Sequence, residues 1–327
     1  MNILVTGGYG FIGWQFIQLA KKHNNISKIV NADKLAYAAI NAPASVRAKN
    51  LFHSSEDYGD FVKTCITDAF NVKWIAKYFN IDTIINFAAE THVDNSINSN
   101  LPFVDANIVG TSCLLDAARL YNCRFIQVST DEVYGHLGAH DAAFDENTPY
   151  NPRNPYSATK AAADHLTMAY GNTYNLPVTV THCSNNYGPG QHNEKLIPKT
   201  IYNAINNKPI PVYGDGLQVR DWIYVEDHAR AILQIATGEH TGNQHYCIGA
   251  SNEITNLQLV HTICKRLDVL RPRAQGSYKD LIEHVQDRPG HDRRYAINSS
   301  KVQQQFNWKP QTTFEQGIEK TIEYYLK

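Results

Sequence analysis

Tyr156 and Lys160 stand four residues apart in Tyr156-Ser157-Ala158-Thr159-Lys160, which puts both side chains on one face of a helix. A phenol titrates near ~10 and is a poor base at neutral pH. A neighbouring ammonium favours the phenolate, so the pair could take the proton of a substrate hydroxyl. Upstream lies Ser129-Thr130-Asp131-Glu132. Thr130 offers a hydroxyl donor, and two adjacent carboxyl groups near an apolar site push each other's pKa apart. One protonated and one ionised carboxyl suit an acid and a base acting on one substrate. Alone, each pattern also has a plain structural reading: a packed Tyr beside a surface Lys, and a solvated or helix-capping acidic pair.

A third cluster gives them context. Gly7-Gly8-Tyr9-Gly10-Phe11-Ile12-Gly13 sits between an apolar run at 3–5 and a helical pattern at 11–22. So little side chain lets backbone N–H groups reach a pyrophosphate at a helix start. Asp33 falls 20 residues after Gly13, where a carboxylate would accept from an adenosine ribose and repel a 2′-phosphate. The expected cofactor is NAD, not NADP.

These residues need a frame to hold them. Apolar runs at 3–5, 28–32, 83–87, 124–129 and 178–183 alternate with helical patterns at 11–22, 69–79, 101–121 and 156–174. That alternation predicts an α/β, Rossmann-like doubly wound parallel sheet. Pro and Gly cluster from Gly188 to Gly216 and at Arg288-Pro289-Gly290, which predicts a smaller C-terminal mixed α/β substrate lobe. A helix pattern over 222–236 is expected to return to the first unit. The expected division is an NAD-binding domain at 1–183 plus about 217–240, and a substrate lobe at about 184–216 plus 241–327.

Composition sets outer limits. Hydrophobic residues make up 43% and charged residues 19%, as in a packed globular chain. A net charge of -1 argues against nucleic acid as a partner. The start has no basic stretch leading an apolar one, and no apolar run is long enough to span a bilayer. A cytoplasmic protein without a membrane partner is expected. The six cysteines form no C-x-x-C pair and read as buried free thiols, and no metal site is expected.

With the glycine loop, Thr130 and the Tyr-Lys pair together, the chain resembles the extended short-chain dehydrogenase/reductase superfamily. Further motifs narrow the resemblance to the nucleotide-sugar 4,6-dehydratases. They are Ser129-Thr130-Asp131-Glu132-Val133-Tyr134-Gly135, Asn86-Phe87-Ala88-Ala89-Glu90-Thr91-His92-Val93-Asp94 and Ser184-Asn185-Asn186-Tyr187-Gly188-Pro189. Glu194-Lys195-Leu196-Ile197-Pro198, Arg220-Asp221-Trp222 and Asp287-Arg288-Pro289-Gly290-His291-Asp292-Arg293-Arg294-Tyr295 complete the set.

The resemblance implies net loss of water from a nucleotide-diphosphate hexose, giving a 4-keto-6-deoxy sugar. C4 is oxidised with hydride passing to NAD, water leaves across C5–C6, and hydride returns to C6. Tyr156 is then the base at the C4 hydroxyl. Lys160 lowers the Tyr156 pKa and holds the nicotinamide ribose, and Thr130 donates to the C4 oxygen. Asp131 is the acid at C6 and Glu132 the base at C5. NAD contacts fall to Gly7, Gly10, Phe11, Ile12, Gly13, Asp33, Ile66, Ala88, Ala89, Tyr156 and Lys160. Substrate contacts fall to His92, Asn185, Asn186, Glu194, Lys195, Arg220, Arg288 and His291, with the two arginines foremost for the diphosphate.

dTDP-glucose is the expected substrate. The alternatives are a UDP-sugar 4,6-dehydratase, or a nucleotide-sugar 4-epimerase or decarboxylase of the same fold. Asp131-Glu132 favours dehydration, because the last two reactions need no acid and base arranged for loss of water. A homodimer through a four-helix interface of 101–121 and 156–174 is expected. The chain departs from the pattern at Cys65, where Asp would hold the adenine amine, so adenine binding is expected to be weaker or rearranged. It departs also at Thr91 (for Ser), His182 (for Arg) and Trp14 (for a small residue). Trp14 is expected to press on the glycine loop or the first helix.

Overall fold

The computed structural model describes residues 1–47, 52–55, 59–239 and 242–327. Ile3, Leu4 and Val5 are all buried, as a strand covered on both faces requires. They form β1 (Asn2–Thr6), near the middle of the main sheet. To one side lie β2 (Lys28–Asp33), β3 (Phe52–Ser55) and β4 (Gly59–Lys63). To the other lie β5 (Thr83–Asn86), β6 (Arg124–Thr130) and β7 (Val178–Cys183). Four more strands are β8 (Asn185–Tyr187), β9 (Ile210–Tyr213), β10 (Val219–Tyr224) and β11 (Gln244–Ile248). The last two are β12 (Glu253–Thr255) and β13 (Ile282–Val285).

The sheet order is β11-β7-β6-β5-β1-β2-β4-β3, parallel throughout except for the β3–β4 pair. Connections leave β1 towards β2 on one side and arrive at β5 on the other. In a doubly wound sheet, ligands bind at the carboxyl ends of the strands where the order reverses. Two small sheets, β12-β10-β8 and β13-β9, form outside this one.

The helices are α1 (Phe11–Ala20), α2 (Ala44–Arg47), α3 (Ala69–Tyr78), α4 (Val93–Asn98), α5 (Leu101–Phe103) and α6 (Gly110–Tyr121). They continue with α7 (Pro155–Tyr174), α8 (Leu196–Ile205), α9 (Val225–Thr237) and α10 (Asn256–Leu270). The last are α11 (Ser300–Phe306) and α12 (Phe314–Leu326). Side chains of a strand alternate between its faces. Ile3 and Val5 accordingly join Phe16, Ile17, Ile232 and Ile235 in the core under α1 and α9. Leu4 joins Ile75, Leu114 and Leu115 in the core under α3 and α6. A third core, with Ile197, Ile201, Trp222, Leu259 and Ile263, holds the smaller lobe.

Three elements differ from the sequence expectation. Residues 222–224 belong to β10 and not to a helix, because backbone pairing with β8 overrides their apolar spacing. The expected single helix over 101–121 contains a π-helical segment, Val104–Val109. β11 pairs with β7 at the edge of the main sheet, and Val302 and Trp308 bury in its core, so the larger unit extends beyond 240. The boundary expected at 240/241 itself falls outside the described residues.

Candidate active site

The glycine loop is shaped by close packing. Gly7 has φ +67°, and a Cβ there would lie 2.8 Å from the Ala88 backbone. A Cβ on Gly13 would lie 2.5 Å from the Gly7 carbonyl oxygen. Gly8 N–H donates to Asn31 Oδ1 (3.1 Å) and Tyr9 N–H to Asp33 Oδ2 (3.0 Å), which fixes the loop on β2. α1 begins without a side-chain cap and without an acidic residue in its first turn. Its first amides have no intrahelical acceptor, and Phe11, Ile12 and Gly13 line the cleft.

Asp33 also accepts from Leu35 N–H (2.8 Å). Burial pushes its carboxyl up, while the two amides pull it down. Each oxygen keeps one lone pair for a ribose hydroxyl. A cradle that any Cβ would fill, ending at a carboxylate, fits a dinucleotide with unmodified ribose hydroxyls. Asp33, Ile66, Ala88 and Ala89 line this end in a cavity of about 690 Å³. Cys65 stands in the same wall and accepts from Thr67 Oγ1 (3.1 Å). Trp14 packs on Tyr9 of the glycine loop, with ring centroids 5.9 Å apart. Of the six thiols, none is paired; Cys65 and Cys113 are partly exposed and the other four are buried.

The cleft continues as a cavity of about 1180 Å³ lined by the glycine loop and by Thr130, Asp131, Glu132, Tyr156 and Lys160. Chain geometry explains the meeting. Thr130 ends β6, and Asp131 and Glu132 open a single 3-10 turn whose Glu132 N–H donates to Thr130 Oγ1 (3.3 Å). α7 starts with a capping box between Asn154 and Ser157 and with Pro155 in its first turn. Tyr156 therefore sits at the helix start, and its N–H donates to Ser96 Oγ (3.2 Å).

Asp131 is 2% exposed. Its carboxyl is held well above the carboxylate range by burial, then by the Glu132 and Asp221 charges. Asp131 Oδ1 accepts from Thr130 Oγ1 (3.3 Å), and Oδ2 has no partner among the described residues. Glu132 accepts weakly from Asn154 Nδ2 (3.4 Å). Burial and then the Glu132 charge push the Tyr156 phenol well up. Lys160 is itself buried, and its Nζ donates to the Val128 carbonyl (2.7 Å). Burial pushes the ammonium down, with Asp164 foremost in opposing it.

A third cavity of about 1160 Å³ adjoins the second, sharing Thr91, Glu132, Asn185, Asn186, Glu194 and Lys195. Its far wall carries Arg220, Arg288 and His291, and its rim His92. Arg220 is spread over fixed acceptors: Val219 O (2.7 Å), Asp292 O (2.9 Å) and the face of Tyr295 (4.2 Å). Arg288 lies 3.5 Å from Asp94, and His291 Nδ1 2.6 Å from Asp287. Lys195 Nζ donates to Thr91 O (2.9 Å). Asn186 is occupied internally: Nδ2 donates to Ser184 O (3.0 Å), and Oδ1 lies 2.9 Å from His228 Nδ1. His92 caps α4 by accepting from Asn95 N–H, and its Nε2 lies 3.9 Å from Glu194. Every residue singled out from the sequence thus borders one continuous cleft.

The structure adds residues that the sequence did not mark. Gln191 Oε1 and Trp222 Nε1 are buried at the substrate end without partners among the described residues. Trp222 stands in a recognised motif, but nothing in the sequence tells which way its indole N–H points. Asn107 lies in the π-helical segment and ties the Glu90 backbone to Thr159 of α7. The apolar pattern of 101–121 hides it.

Residues 4–321 match the family model described as GDP-mannose 4,6 dehydratase. A dTDP-glucose 4,6-dehydratase of Neisseria gonorrhoeae is 47% identical over 99% of this chain and 95% of its own. The chain belongs to the dTDP-glucose 4,6-dehydratase family. A solved dTDP-glucose 4,6-dehydratase from Bacillus anthracis, in complex with NAD, superposes with a TM-score of 0.86 at 43% identity, covering 100% of this chain and 96% of that one. One from Streptomyces venezuelae, with NAD bound, gives 0.89 at 36% identity and covers 100% and 97%. The likeness spans both lobes and the whole cleft between them.

Proposed function

We propose that this chain removes water from dTDP-glucose to give dTDP-4-keto-6-deoxyglucose, with NAD held through turnover. Asp131 carries the reading. A buried carboxyl, held well above the ordinary carboxylate range and with one oxygen lacking a partner among the described residues, stands beside Glu132 in the same cavity as Tyr156 and Lys160. C4 inversion has no use for such an acid.

Gly7, Gly10, Gly13 and Asp33 would hold NAD, which would supply the hydride acceptor for C4 and the hydride donor for C6. Tyr156 Oη takes the C4 hydroxyl proton, and Thr130 Oγ1 donates to the C4 oxygen. Lys160 holds the nicotinamide ribose and offsets the Glu132 charge on the phenol. Glu132 removes the C5 proton, made acidic by the C4 carbonyl, and Asp131 protonates the leaving C6 oxygen. Arg220 and Arg288 hold the diphosphate, assisted by Lys195 and His291. Asn185 supplies an amide to the sugar, with Asn186 fixing the loop behind it.

The domain division is kept, with 244–248 added to the NAD-binding unit. The protein works in the cytoplasm; no helix among the described residues is long and apolar enough to cross a membrane. It is a homodimer through α6 and α7, whose Leu120 and Tyr174 are exposed.

Asp131→Asn and Glu132→Gln test the assignment. Each is predicted to lower keto-sugar formation by about 10²-fold or more while dTDP binding by calorimetry stays unchanged. Wild-type turnover in either variant overturns it.

A further inference from the structure

Behind the cleft, Asp164 is fully buried on α7, one turn past Lys160 and two past Tyr156. Its Oδ2 accepts from Ser129 Oγ (2.6 Å) and lies 3.3 Å from His182 Nε2 and 3.5 Å from Tyr150 Oη. His182 is pinned in turn by Tyr150 Oη (2.8 Å, at Nε2) and Tyr134 Oη (3.0 Å, at Nδ1). None of this set enters the proposed chemistry. Its placement is nonetheless particular. Lys160 donates to Val128 O and Ser129 donates to Asp164, so two successive residues of β6 are fastened to two successive turns of α7. The next residue of β6 is Thr130, and the preceding turn of α7 carries Tyr156.

We propose that Asp164 is a positioning residue. Its carboxylate, fixed by Ser129, sets the register of Tyr156 against Thr130 and places an opposite charge one helical turn from the buried Lys160. A buried ammonium is costly unless an opposite charge stands near. Asp164 on its own helix and Cys183 on β7 act on Lys160, and Tyr156 and Asp131 line the same cavity. Among those that favour its charged form, Asp164 ranks first. The proposal rests on the catalytic reading above only for its effect on rate.

The test uses the full chain with Asp164→Asn, which keeps shape and removes charge, and Ser129→Ala, which keeps the charge and removes the anchor. Competitive labelling with trace acetic anhydride, read by peptide mass spectrometry, gives the pH at which Lys160 loses its proton, independently of turnover. Removing an anion lowers that midpoint. A fall of about one unit or more is expected in Asp164→Asn, and none in Ser129→Ala. In turnover, both variants are expected to lose about tenfold in kcat with KM unchanged, and the alkaline limb moves down only in Asp164→Asn.

An unchanged labelling midpoint in folded Asp164→Asn overturns the charge role, whatever the substrate proves to be. Wild-type kcat in Ser129→Ala overturns the anchoring role, and that variant decides if Asp164→Asn does not fold. Absence of turnover in the wild type counts against the catalytic reading and leaves the labelling result to judge this one.

Discussion

Asp131 meets opposite demands from folding and from chemistry. An acid for a leaving hydroxyl must hold its proton towards neutral pH, and burial beside Glu132 and Asp221 pushes the carboxyl in that direction. The same shift costs stability. A carboxyl whose pKa is raised in the folded state favours folding only below its unfolded value. That contribution is lost as pH rises from the ordinary carboxylate range through the raised one. Asp131→Asn removes the titration. Its melting temperature is therefore predicted to exceed that of the wild type, by a margin that widens from pH 5 to pH 8 in calorimetric scans. An equal or shrinking margin would mean that Asp131 ionises freely in the fold. Glu132 and Asp131 are both carboxyl groups and differ in burial, so their spacing alone left the division of labour open and only the family resemblance assigned it.

At the scale of elements, the β1–loop–α1 unit shows how tightly sequence can dictate geometry. Gly7 must take a left-handed conformation with Ala88 against it, and no other residue type meets both conditions. Gly7→Ala is predicted to cost about 1–3 kcal/mol of stability and to abolish NAD binding, read by chemical denaturation and by fluorescence titration. Binding at wild-type affinity would show that the cradle is not where the pyrophosphate lies.

This unit was legible because its signals are local: a buried strand, three spaced glycines and an acid after the next strand. Helix periodicity likewise placed Tyr156 and Lys160 on one face. What was not legible depends on partners distant in the chain. Residues 222–224 carry apolar spacing that suits a helix, and only their pairing with Asn185, Asn186 and Tyr187 makes them a strand. The role of Arg220 as a side chain braced on Asp292 and Tyr295 depends on a loop some seventy residues away. His182 looked like a bare departure from the motif, and its buried contacts with Tyr134, Tyr150 and Asp164 appear only in three dimensions.

At the scale of the whole molecule, α5, α6 and α7 carry exposed apolar side chains. Leu101 is 69% exposed, Leu120 60% and Tyr174 47%, with Arg119 stacked 4.5 Å over the Tyr174 ring. Exposed apolar side chains at these ends suit the proposed association through α6 and α7. In a two-fold dimer the same patch meets itself, so a single charge there is introduced twice. Leu120→Glu is predicted to convert a dimer to a monomer in size-exclusion chromatography with light scattering, with NAD still bound. A wild-type monomer, or a Leu120→Glu dimer, would remove α6 and α7 from the interface.

The most direct test of the account is mass spectrometry of the sugar nucleotide after incubation with purified protein, with no NADH added. dTDP-glucose, UDP-glucose and UDP-N-acetylglucosamine would be run in parallel. The prediction is that dTDP-glucose loses the mass of one water, and faster than either UDP sugar. An unchanged mass with the C4 configuration inverted would contradict it, and would leave the buried Asp131 beside Glu132 without a purpose.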